Sequence, residues 1–156
     1  GYTVYRMEYN AKTKKWSGWK NRGTTKANAK SWVDKSAKAG TVYKYTVRAR
    51  YGSVASSFVA SANIVRLLNP TVKAVKASNG IKVTWNKIAG AKNYKIYRAQ
   101  YVNGKWSGWS GIATTNNKTF AYVDKTAKKG VYYKYTVRAV NGKSASAFTA
   151  SKNVKR

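Results

Sequence analysis

Residues 133–139, "YKYTVRA", place Tyr133, Tyr135, Val137 and Ala139 on one side of an extended chain and Lys134, Thr136 and Arg138 on the other. In 93–98 Tyr94 and Ile96 turn the same way, leaving Lys95 and Tyr97 opposite. A period of two argues for half-buried strands, and abundant Tyr, Val and Thr suit a pleated surface. The pattern predicts strands near 71–77, 81–86, 93–100, 105–114, 118–123, 131–140 and 144–151. Between them stand "SNG", "AGAKN", "VNG", "NN", "DKTAKKG" and "NG", all turn-forming stretches. Seven short strands predict an all-β fold, an antiparallel two-sheet sandwich.

The pattern occurs twice. "KWSGWK" at 15–20 matches "KWSGWS" at 105–110, "WVDKSAKAG" at 32–40 matches "YVDKTAKKG" at 122–130, and "GTVYKYTVRA" at 40–49 matches "GVYYKYTVRA" at 130–139, each offset by 90. Phe58 matches Phe148. "GYTVYR" at 1–6 matches "NYKIYR" at 93–98 with an offset of 92, so the first copy carries two extra residues in "NAKTKK". A period near 90 suits a β-sandwich domain and is too long for a solenoid repeat. The second copy, 67–156, is expected to be complete. The first, 1–66, has counterparts only for the last five strands, since 67–89 supplies the opening two for copy two alone. Its sheet edge and core are expected to be open, filled either by preceding strands or by strand donation from a neighbouring chain or copy.

Charge changes the picture most. The chain has 32 Lys plus Arg against 3 Asp plus Glu, a formal net charge of +29. Such a surface repels itself, and a partner of negative charge is the simplest reason to keep it; a lysine-rich solubility device is the plain alternative. With no Cys and no His, disulfides, a zinc site and a His general base are excluded. No apolar run approaches the roughly 20 residues that span a bilayer, so no membrane insertion is expected. The opening "GYTVYRMEYN" does not read as a signal peptide, and the chain is expected to be a mature fragment.

The second copy resembles a fibronectin type III domain. "IKVTWNKIAGAKNYKIYRA" is similar to that family's second and third strands, and "DKTAKKGVYYKYTVRAVNGKSAS" to its loop, sixth strand and final hairpin. The resemblance implies a buried Trp85 and a tyrosine corner at Tyr133. The wording is closest to tandem repeats on surface and secreted proteins of gut Firmicutes. It covers 70–156 fully and 1–66 partly, and implies a module outside the cell or on its wall. It says little about function, because this fold serves as spacer, adhesin and binding module alike.

An enzyme is not expected. The acids are Glu8, Asp34 and Asp124; the two Asp are repeat equivalents in "VDK" and read as loop caps that accept backbone N–H groups. A paired-carboxylate mechanism needs two acids in one copy, and copy two holds one. Phosphate-cradling glycine motifs are absent, and neither catalytic residues, metal ligands nor a cofactor are expected.

Binding is the remaining chemistry. The outward positions of two neighbouring strands gather Lys95, Tyr97, Lys134 and Arg138, with Thr3, Tyr5, Lys44 and Arg48 as first-copy equivalents. Beside them run Lys105, Trp106 and Trp109, and in copy one Trp16 and Trp19. Residues three apart on a strand face opposite ways, so one Trp of each pair is expected in the core and one displayed, unless "SG" makes a bulge. The leading expectation is a non-catalytic, cationic extracellular module that engages an anionic polymer, such as wall teichoic acid, acidic polysaccharide or glycan. A structural spacer or fibre subunit is the alternative. Non-specific binding of single-stranded nucleic acid is the third, because basic strips with interleaved aromatics also fit it.

Overall fold

The computed structural model describes all 156 residues, Gly1–Arg156, as strands and connections without a helix. The chain divides into two compact units, Gly1–Arg66 and Leu67–Arg156.

Unit 2 contains β7 (Val72–Ala77), β8 (Gly80–Trp85), β9 (Asn93–Val102), β10 (Lys105–Trp106), β11 (Ser110–Asn116), β12 (Ala121–Asp124), β13 (Tyr132–Asn141), β14 (Ser144–Ala145) and β15 (Val154–Lys155). Unit 1 contains β1 (Tyr2–Asn10), β2 (Lys15–Trp16), β3 (Lys20–Thr25), β4 (Val42–Tyr51), β5 (Val54–Ala55) and β6 (Ile64–Val65). In unit 2 one sheet runs β10-β9-β13-β14, with β11 also on β9 and β15 on β13; the other runs β12-β8-β7. All pairings are antiparallel. Alternation sets which side chains meet between the sheets. Ile81, Val83 and Trp85 come from β8; Tyr94 and Ile96 come from β9; Tyr133, Tyr135, Val137 and Ala139 come from β13, and all are buried. Trp85 packs on Tyr94 with ring centroids 5.7 Å apart. The Tyr133 hydroxyl accepts the Lys128 N–H at 2.8 Å, the corner bond that the resemblance implies.

Two expected strands are interrupted. Residues 105–114 split into β10 and β11, as described below. The stretch expected over 144–151 is regular only at β14. Beyond it Ser146 and Ser151 hold the chain to β13: their N–H groups donate to the carbonyls of Ala139 and Tyr135, while their hydroxyls accept the N–H groups of those same residues at 3.1 Å. A side-chain oxygen thus replaces a ladder carbonyl, and the segment stays attached without being a regular strand.

Unit 1 is a single sheet. Its order is β2-β1-β4-β5, with β3 on β1 and β6 on β4. A strand expected at the equivalent of 118–123 does not form; residues 31–34 are irregular. In unit 2 the corresponding β12 pairs with β8 and nothing else, so the strand exists only where β8 supplies its hydrogen-bond partner.

Candidate functional site

The repeated "KWSGW" is built as a bulge. Trp106 pairs with Tyr101 and Ser110 with Arg98, so four steps on the outer strand span three on β9. Unit 1 repeats this, with Trp16 opposite Tyr9 and Lys20 opposite Arg6. The extra residue reverses the alternation. A strand N–H left over at such a bulge needs an acceptor, and the serine supplies it. The Ser107 hydroxyl accepts the Gln100 N–H at 3.0 Å, while the Ser107 N–H donates to the Gln100 carbonyl at 2.8 Å. Ser17 does the same with Glu8, both bonds at 2.9 Å.

The expectation of one core Trp and one displayed Trp is therefore corrected. Tyr101 lies an even number of residues from Tyr97, opposite in sense to Tyr94 and Ile96, so it and its partner Trp106 stand on the outer face. Trp106 lies 5.4 Å from the Tyr101 ring, and Lys134 Nζ sits 4.3 Å from its centroid. Trp109 meets Phe148 edge-on at 5.7 Å, and neither belongs to the buried core. Unit 1 matches contact for contact. Trp16 lies 5.2 Å from Tyr9, with Lys44 Nζ 5.0 Å from its ring; Trp19 meets Phe58 at 5.7 Å.

Around these rings the register places the other candidates. Lys95 stands opposite Arg138, Tyr97 opposite Thr136, and Lys134 opposite Ala99. Lys95 and Lys105 are exposed; Tyr97, Lys134 and Arg138 are half-buried. Arg138 is tethered, its Nε donating to the Ser146 carbonyl at 2.7 Å. In unit 1 Thr3 stands opposite Arg48 and Tyr5 opposite Thr46, and Arg48 Nε donates to the Ser56 carbonyl at 2.6 Å. Thr3 is fully buried and offers nothing to a ligand. Sequence reasoning missed Tyr101 and Phe148, with Tyr9 and Phe58 in the first copy, as members of the face. It also missed Tyr132, whose ring carries Lys155 Nζ 5.2 Å away. The signal for Phe148 was present in its repeat match to Phe58.

The two aspartates are withdrawn from the surface. Asp124 is fully buried; its Oδ2 accepts from Arg98 Nη1 at 2.9 Å and from the Tyr135 hydroxyl at 2.8 Å. Its Oδ1 accepts the Thr126 N–H at 3.0 Å and the Thr126 hydroxyl at 2.7 Å. The loop-capping role is thus present, joined by a buried ion pair that sequence reasoning did not foresee. Asp34 repeats the set with Arg6 at 2.7 Å, Tyr45 at 2.9 Å and Ser36. Burial alone would raise the Asp34 pKa, but hydrogen bonds from Ser36, Arg6 and Tyr45 outweigh it and bring it down to about 2. Asp124 is lowered too: burial opposes ionisation, and bonds from Thr126, Tyr135 and Arg98 prevail. Burial and the Asp34 carboxylate push Tyr45 up to about 12. Both aspartates are therefore ionised at neutral pH and spent on internal cations. Glu8, 3.5 Å from Arg6, has the one acidic side chain with sizeable exposure, 38%.

No family model and no curated protein matches the chain. Among solved structures, the two-domain fibronectin type III segment of chicken tenascin covers 99% of this chain and 83% of its own, with a TM-score of 0.53 and 14% identity. The fold is that of fibronectin type III domains. A likeness at that identity concerns fold alone. An Fn3-like protein from Clostridium thermocellum is 26% identical over 58% of this chain and 92% of that one, with a TM-score of 0.43. The FN1–FN3 domains of chicken CNTN1 are 18% identical, covering 99% of this chain and 56% of that one, with a TM-score of 0.42. No helix here is long and apolar enough to cross a membrane.

Proposed function

We infer that this fibronectin type III chain is a non-catalytic adhesion module, working outside the cell or on its wall, that binds an anionic polymer such as teichoic acid or an acidic polysaccharide. The observation that carries the reading is the repeated outer face. Two units build the same Trp–Lys and Trp–Phe contacts on the same bulge, while their aspartates are consumed internally. Trp109, Phe148, Tyr101 and Tyr132 remain between 37% and 45% exposed. An open face with flat rings and lysines beside them fits an extended polymer better than an enclosed small molecule. The cations supply attraction from a distance, and the rings supply short-range stacking for sugars or bases.

The test is titration with teichoic acid, an acidic polysaccharide and single-stranded DNA at two salt concentrations. Exchanging Lys95 and Lys134 for Ala should weaken binding to every polyanion and flatten the salt dependence, since fewer counterions are released. Trp109→Ala should remove roughly 1–3 kcal/mol where a ring stacks on it, more for ligands with flat surfaces than for merely dense charge. Strongest binding to DNA would turn the reading to nucleic acid. Binding to no polyanion at low salt would leave the spacer reading in its place.

A further inference from the structure

The internal repeat allows one face to be compared with itself, covered and uncovered. On β13 Val137 is 0% exposed within the unit 2 core, whereas its equivalent Val47 on β4 is 51% exposed. Val154 is 8% exposed and its equivalent Ile64 is 42%. Ala139 is buried and Ala49 exposed. Yet the side chains are the same type, pointed the same way: Val4 pairs with Val47 in unit 1 as Ile96 pairs with Val137 in unit 2. Between Val4, Tyr43, Val47, Ile64 and Trp32 lies an open cleft of about 700 Å³. Trp32 partly roofs it, its indole lying against Gly23, where an added Cβ would come within 3.2 Å. Residues 31–34 run beside the cleft without a strand partner.

We propose that this inner face of unit 1 is a docking site for a β-hairpin of the same repeat type, contributed by polypeptide outside residues 1–156. The occupant is specified by unit 2, where the other half of the same interface is visible. There β8 brings Ile81, Val83 and Trp85 into one core with Tyr94, Ile96, Tyr135 and Val137, β7 adds Val72 and Ala74 at its side, and β8 gives β12 its partner through Val83–Tyr122 and Lys82–Val123. A hairpin docked on unit 1 would do two things together. It would bury Val47, and it would turn 31–34 into a strand through main-chain bonds, as an added strand does at an open sheet edge. A small apolar ligand could fill the cleft but could not order 31–34.

The experiment uses the full chain with a synthetic peptide of the sequence of residues 67–89, followed by hydrogen exchange and sedimentation. A folding peptide loses affinity to its own ordering, so a second form carries residues 67–92 duplicated ahead of Gly1, the equivalent of Asn93. The expected result is tenfold or greater slowing of exchange in Tyr2–Arg6, 31–34 and Tyr43–Val47, with one hairpin per chain. Val47→Asp, at an exposed position that leaves the unbound sheet intact, should abolish it, as should Ile81→Asp within the added hairpin. Slowing in neither form would overturn the proposal. So would self-association of the unmodified chain that protects these same residues and is lost in Val47→Asp, because a second copy would then be the occupant. Binding of an apolar dye to the cleft with no ordering of 31–34 by either hairpin would overturn it equally.

Discussion

Replacing Asp124 with Asn tests whether the buried ion pair organises unit 2. The amide keeps the carboxylate's shape but not its capacity. Four donors converge on Asp124: Arg98 Nη1, the Tyr135 hydroxyl, and the N–H and hydroxyl of Thr126, all within 2.7–3.0 Å. An amide oxygen serves the donors on one side only, and its NH₂ meets the others donor to donor. Tyr135 is fully buried and the Arg98 side chain is 20% exposed, so neither turns freely to water. Each unsatisfied buried donor costs about 1–3 kcal/mol, and removing one partner of a buried ion pair costs about 3–5. With exposure of Arg98 easing its loss, the expected destabilisation is about 3–4 kcal/mol, against a whole-domain stability of roughly 5–15. Urea unfolding followed by circular dichroism, with hydrogen exchange to separate unit 2 from unit 1, reads it directly. Arg98→Met combined with Asp124→Asn should be less destabilising than the two singles added. A loss below about 1 kcal/mol, or strict additivity, would refute the network as a source of stability.

Unit 1 should show acid sensitivity of its own. The Asp34 pKa is held at about 2, below its value of 3.8 in an unfolded chain, so the ionised form stabilises the fold above pH 4 and that stability is lost as pH falls towards 2. The amount is about 2 kcal/mol, and Asp34→Asn should remove this slope in an acid titration followed by hydrogen exchange. Val137→Ala should cost unit 2 about 2 kcal/mol through lost burial, whereas Val47→Ala should change unit 1 by less than about 0.5; comparable losses in urea would contradict the uncovered face. Ser107→Ala leaves the Gln100 N–H without its acceptor at the bulge, and should lower stability by about 1 kcal/mol while altering Trp fluorescence.

Alternation along 93–98 and 133–139 was enough to say which side chains enter the core, because the two-residue period of a strand is a local property of extended backbone. Tyr94, Ile96, Tyr133, Tyr135 and Val137 lie inside as that period requires. The positions of Lys95, Tyr97, Lys134 and Arg138 on β9 and β13 were readable in the same way, and Lys95 and Arg138 stand directly opposite each other. The two tryptophans were not, because their side depends on one inserted residue whose place is fixed only when Ser107 finds Gln100 on the neighbouring strand. Likewise residues 31–34 carry the pattern of β12 but form no strand, since a strand exists only with a partner to bond. The pairings of Arg98 with Asp124 and of Arg6 with Asp34 join residues 26 and 28 positions apart. Repetition marked all four residues, but it took the closing of the chain to make ion pairs of them, because charge acts through distance in space and not along the sequence.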